Sequence, residues 1–119
     1  MPTRSLLLFA LTVAAGLAAG CGSSSSSPST PTADVTVQMV GDRGTQSYNP
    51  NPTTMKVGQT ISWHNADSTA HTSTKDGGGF DTGSVNGGAT SSPITMSTAG
   101  TFTYHCTIHP GMVGSITVQ

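Results

Sequence analysis

From residue 34 onward the chain nowhere sustains the apolar spacing of a helix. Apolar residues alternate with polar ones in short runs, and turns rich in Gly and Pro cut the runs apart; 15 glycines and 7 prolines in 119 residues leave little room for anything but strands. Val35, Val37 and Met39 alternate with Thr36, Gln38 and Val40, as in a half-buried strand. Gly41 to Gly44 makes a turn, and Asn49-Pro50-Asn51-Pro52 a second break. Thr53 to Val57 reads as a strand, Gly58-Gln59 as a tight turn, and Thr60 to Asn65 as a strand with Ile61 and Trp63 facing inward. After a loop over Ala66 to Ala70 comes a short β-branched stretch, His71 to Thr74. Asp76 to Asn86 is irregular and is where a helical turn is expected, if anywhere. Pro93 confines the strand Thr90 to Ser97 to an edge or a bulge. Thr101 to Cys106 and Val113 to Gln119 close the chain. Seven or eight short strands predict an all-β sandwich. Its core draws on Val35, Val37, Met39, Val57, Ile61, Trp63, Phe80, Ile94, Phe102, Tyr104, Ile116 and Val118.

The sandwich occupies residues 34–119; what precedes it has another purpose. Residues 1–20 read as an export signal, with Arg4 ahead of an apolar stretch, Leu6 to Leu17, too short to span a bilayer comfortably. The stretch ends Ala18-Ala19-Gly20-Cys21, small residues before a cysteine, as at a bacterial lipoprotein cleavage site. We favour acylation of Cys21 over an ordinary secretory signal with an incidental cysteine. The chain is then lipid-anchored at a bacterial membrane, on the periplasmic or outer surface. Residues 21–33 continue as a Ser- and Pro-rich tether with nothing to bury.

Charge excludes one class of partner. In the domain Arg43, Lys56 and Lys75 face five aspartates, so no basic patch exists to bind nucleic acid. The cysteine count points elsewhere. Only Cys21 and Cys106 are present, and with Cys21 acylated, Cys106 is a lone thiol in an oxidising compartment. Metal ligation explains such a thiol better than a Cys21–Cys106 disulfide, which needs the tether to fold back.

The neighbours of Cys106 say which metal. Cys106, His109 and Met112 stand three apart, gathering a thiolate, an imidazole and a thioether into one short loop. Those donors suit one copper ion, cycling between Cu(I) and Cu(II); Met is a poor zinc ligand. A fourth donor must come from another strand. His105 alternates with Cys106 and points away, and His64 faces out if Trp63 faces in. His71, at a strand end, is the remaining choice. Met39, Met55 and Met96 read as core or strand residues, and Asp81 as a turn residue.

Met55-Lys56-Val57-Gly58-Gln59-Thr60-Ile61-Ser62-Trp63-His64-Asn65, Ala70-His71-Thr72, Phe80-Asp81-Thr82-Gly83 and Tyr104-His105-Cys106-Thr107-Ile108-His109-Pro110-Gly111-Met112-Val113-Gly114 together resemble the cupredoxins. The nearest likeness is to the small blue copper proteins of the plastocyanin/amicyanin kind, the compact Cys-x-x-His-Pro-x-Met loop being most like amicyanin. The resemblance covers essentially the whole domain. It implies a Greek-key β-sandwich with copper at one pole and one-electron transfer rather than enzymatic turnover. By position, His71, Cys106, His109 and Met112 inherit the metal-ligand roles. It further implies that His109 reaches through an apolar patch where transient redox partners dock. A monomer is expected. In one respect the chain departs from the family: Thr72 stands where several members carry Asn, which predicts a shifted reduction potential. A copper-delivery lipoprotein without a redox role is the alternative, disfavoured by the lack of Met- or His-rich tracts.

Overall fold

A computed structural model describes Gly20, Gly22 and residues 31–119. Cys21, the signal segment and most of the tether lie outside the described residues. Among the described residues eight strands form: β1 (Val35–Met39), β2 (Tyr48–Asn49), β3 (Thr53–Met55), β4 (Thr60–Asn65), β5 (Thr74–Lys75), β6 (Ile94–Thr95), β7 (Gly100–His105) and β8 (Val113–Val118). They make two four-stranded sheets, ordered β2-β1-β4-β6 and β3-β8-β7-β5. Two neighbouring pairs are parallel and far apart in sequence. In β1–β4, Val37 lies opposite Trp63; in β3–β8, Thr53 lies opposite Ile116. The chain therefore crosses between sheets instead of meandering, which gives the Greek-key sandwich expected. The edge position expected for the Pro93 strand also holds, since β6 pairs only with β4.

The inner faces meet in a core centred on Trp63, Tyr48 and Tyr104, none more than 1% exposed. Tyr104 packs edge-on against both Tyr48 (centroids 4.7 Å apart) and Trp63 (5.6 Å), a favoured aromatic geometry. Phe80 lies against Trp63 at 5.5 Å.

The structure corrects several local expectations. Val57 is 48% exposed, because β3 stops at Met55 and the turn at Gly58 (φ 88°) swings Val57 out of the alternation. Tyr48, Val85 and Met112 join the core from segments that carry no alternation of their own, while Met39, Met55 and Met96 are buried as expected. The one short 3₁₀ turn among the described residues is Gly44–Gln46, not in Asp76–Asn86. Gly77, Gly78 and Gly79 all have positive φ, which no right-handed helical turn can use. The stretch His71 to Thr74 is not a continuous strand: His71 makes an isolated bridge with Val85, and β5 begins at Thr74.

Candidate metal centre

Two segments at one end of the sandwich build the site. The first is the connection from β7 to β8. Tyr104 is the last inward residue of β7, and Cys106 continues the inward row just past the strand's end, fully buried. The Cys106 N–H donates to the Met112 carbonyl (3.1 Å) and the Met112 N–H to the His109 carbonyl (2.9 Å), closing the loop on itself. The pairing of His105 with Val113 clamps its base.

The second segment leaves β4 at Asn65. That residue continues the inward row of Ile61 and Trp63 but is polar and fully buried, so its amide must be satisfied. It is: Nδ2 donates to the carbonyls of Thr69 (2.7 Å) and Val85 (2.9 Å), and Oδ1 accepts from the Asp67 N–H (2.9 Å). Asn65 thus winds the loop toward His71, and backbone bonds in both directions between His71 and Val85 hold that residue. Gly87 permits the close approach, since a Cβ there would stand 2.7 Å from the Asp67 carbonyl oxygen.

Three donor atoms converge where the segments meet. His71 Nδ1 lies 3.1 Å from His109 Nδ1, and Cys106 Sγ lies 3.9 Å and 4.0 Å from the two nitrogens. A point equidistant from all three is about 2 Å from each, the reach of metal–nitrogen and metal–sulfur bonds. Two imidazole lone pairs facing each other at 3.1 Å repel unless a proton or a cation lies between them. The donor set therefore fits a soft or borderline cation. Sγ also accepts two backbone N–H bonds, from Thr72 (3.2 Å) and His109 (3.4 Å), which aim positive dipole ends at the sulfur.

Around the donors, hydrogen bonds join the two segments. Thr72 Oγ1 accepts from the Thr107 N–H (2.9 Å), and its carbonyl accepts from the Tyr48 hydroxyl (2.6 Å). The His71 ring pairs with Asp67, Nε2 to Oδ2 at 2.8 Å. That bond, with the Ser68 N–H second, holds the Asp67 carboxyl below its ordinary range. Burial pushes the Tyr104 phenol up to about 12 and raises that of Tyr48 too, so both stay neutral.

Among the residues singled out from the sequence, His71, Cys106 and His109 come together, and Met112 is fully buried on the same loop. His105 points away and faces Asp76 (Nδ1 to Oδ1, 2.5 Å); His64 faces Thr90. Asp81 serves its turn, accepting from the Gly83 N–H and the Thr74 hydroxyl. Sequence reasoning missed Asn65 and Asp67. A polar residue ending an apolar inward row marks Asn65; nothing in the sequence marks Asp67.

Residues 35–119 match the family described as copper binding proteins, plastocyanin/azurin family. A plastocyanin from Scenedesmus fuscus is 33% identical, the match covering 72% of this chain and all of that protein. Among solved structures, a purple cupredoxin from Nitrosopumilus maritimus superposes with a TM-score of 0.65 at 26% identity, covering 72% of this chain and all of the other. A Cu(I) form of an amicyanin variant superposes with a TM-score of 0.62 at 24% identity, over 71% of this chain and 81% of that one.

Proposed function

This chain belongs to the plastocyanin/azurin family of copper-binding proteins, and from that premise we propose that it carries single electrons at a membrane surface, holding one type 1 copper with His71, Cys106, His109 and Met112. The observation that carries the reading is the convergence of two imidazole nitrogens and one buried thiol sulfur within metal-bonding reach. Copper, when bound, supplies the one-electron Cu(II)/Cu(I) couple.

The residues of the chain do the rest. His71 is fixed by Val85 and Asp67, and Cys106 by the β7–β8 clamp and two N–H donors, so neither needs to move when charge changes. A rigid donor set keeps reorganisation small, which favours fast transfer. Full burial of Cys106, Met112 and His71 excludes water. His109 alone among the three converging donors reaches partial exposure, flanked by Ile108, Pro110 and Gly111, all exposed. It is the port through which an electron leaves toward a partner docked on that apolar rim. Such contacts are small and short-lived.

Adding Cu(II) to the metal-free chain tests this. The expected result is an intense blue thiolate-to-copper absorption with narrow copper hyperfine splitting in EPR. A colourless complex with ordinary hyperfine splitting would refute it.

A further inference from the structure

Asparagine is a labile residue, and Asn49, Asn51, Asn65 and Asn86 stand in very different surroundings. The side chain is lost when the backbone nitrogen of the next residue attacks its amide carbon. The neighbour's N–H and the side chain's freedom therefore decide which asparagine reacts. Asn49 and Asn51 each precede a proline, whose nitrogen carries no hydrogen. Asn65 is fully buried, with both ends of its amide bonded. Asn86 is exposed and precedes Gly87, which is exposed too. Among the described hydrogen bonds the Asn86 side chain takes part in none, and the Gly87 N–H donates in none.

The fold itself requires glycine at this point. A Cβ at Gly87 would stand 2.7 Å from the Asp67 carbonyl oxygen and 2.9 Å from that of Ser68, and backbone atoms cannot step aside. The same missing Cβ leaves the Gly87 nitrogen unshielded toward Asn86. Gly88, at φ 78°, completes a tight turn in which the Ala89 N–H donates to the Asn86 carbonyl (2.9 Å). We propose that Asn86-Gly87 is a site of self-modification, in which the Gly87 nitrogen closes a succinimide ring on Asn86. The bond from Gly87 N to Asn86 Cγ forms, the Cγ–Nδ2 bond breaks, and the Gly87 proton leaves with Nδ2 as ammonia. Water then opens the ring, leaving an aspartyl or an isoaspartyl residue at position 86. Nothing is oxidised or reduced, and water is the only co-reactant.

The position of the turn gives the step its consequence. Val85 exchanges two backbone bonds with His71 (3.1 and 2.8 Å), and its carbonyl also accepts from Asn65 Nδ2 (2.9 Å). On the far side, the Gly88 N–H donates to the Asn65 carbonyl (2.8 Å). The isoaspartyl product inserts one extra carbon into the main chain between these two pinned points. The span must then bulge or let go, and Val85 is what holds His71. The chemistry stands apart from the copper reading, which says only what is lost when His71 loosens.

The test is peptide mass analysis of the metal-free, folded full chain after prolonged incubation in warm neutral buffer. Cleavage after Arg43, Lys56 and Lys75 puts Asn86 in residues 76–119, Asn65 in 57–75, and Asn49 with Asn51 in 44–56. The first of these peptides should gain about one mass unit, as an amide becomes an acid, while the other two keep their mass. An unchanged 76–119 peptide overturns the proposal. Isoaspartyl methyltransferase should label the aged chain; a mass gain without isoaspartyl product means direct hydrolysis and rules out attack by Gly87. Asn86→Gln lengthens the side chain by one carbon and should abolish the gain. A gain that persists in this variant arises elsewhere, as at Gln119, and also overturns the proposal. In the isoaspartyl form, amide hydrogen exchange at His71 and Val85 should quicken; unchanged exchange would refute the loosening of His71. Copper enters none of these measurements. A chain that ages at Asn86 but turns no blue with Cu(II) when fresh would sink the electron-carrier reading and leave the modification standing.

Discussion

Thr72 carries more of the site than any other residue that binds no metal. Its N–H reaches the Cys106 sulfur, its hydroxyl accepts from Thr107, and its carbonyl accepts from Tyr48. Three atoms of one residue thus tie the His71 segment, the Cys106 loop and the core together. Thr72→Val keeps the shape and the backbone N–H but leaves the Thr107 N–H without its acceptor. Unfolding of the metal-free protein by denaturant should show a loss of about 1–3 kcal/mol, the usual cost of a part-buried donor left unpaired. A loss below a few tenths would show that the hydroxyl clasp contributes nothing. From the sequence, Thr72 was notable only as a departure from the family's Asn. Its hydroxyl could not be paired there, because Thr107 lies 35 positions along the chain.

Among the elements, β7 and β8 set the site's precision, and one glycine lets them pair with a large ring between the sheets. Tyr104 lies directly opposite Gly114, and a Cβ at Gly114 would stand 2.5 Å from the ring's Cζ and 2.6 Å from its oxygen. Gly114→Ala is favourable by strand propensity, since Gly weakens a strand. Here the rigid, buried ring cannot yield, so we expect the opposite sign: a loss of about 1–3 kcal/mol, as for other overpacked cores. Thermal unfolding decides between the two. β1 and β4 are joined differently, at their N-terminal ends. Asp34 Oδ2 accepts from both the N–H and the hydroxyl of Thr60, which holds its carboxyl below the ordinary range. A depressed carboxyl stabilises the fold above its unfolded value of about 3.9 and loses that contribution as pH falls through the lower folded value. Asp34→Ala should therefore melt below wild type at pH 6, and the gap should close below about pH 4. A gap that persists to pH 2 would remove the carboxylate as its cause. Strand existence was readable wherever apolar residues alternate, as in β1, β4, β7 and β8. The two-residue β2, with buried Tyr48, was not, because so short a segment has no period to read.

For the whole molecule, the tether and anchor proposed at the N-terminus decide where electrons could go. A lipid on Cys21, joined to the domain by a Ser- and Pro-rich stretch, would let the folded domain present its His109 end to a partner on the same membrane. Cys21→Ser should move the protein from the membrane fraction to the soluble exported fraction with its colour on copper addition unchanged. Retention of the serine variant on the membrane would refute lipid anchoring. By itself the sequence determined the strand-rich character of the domain and the spacing that puts Cys106, His109 and Met112 in one loop. Those are local facts, set by alternation and by turn chemistry over a few residues. Only the tertiary structure decided that β1 runs parallel to β4 and β3 to β8, that Asn65 steers the second segment, and that Asp67 and Thr72 brace the donors. These depend on atoms far apart in the chain, or on the path of a loop, and short-range periodicity carries no information about either.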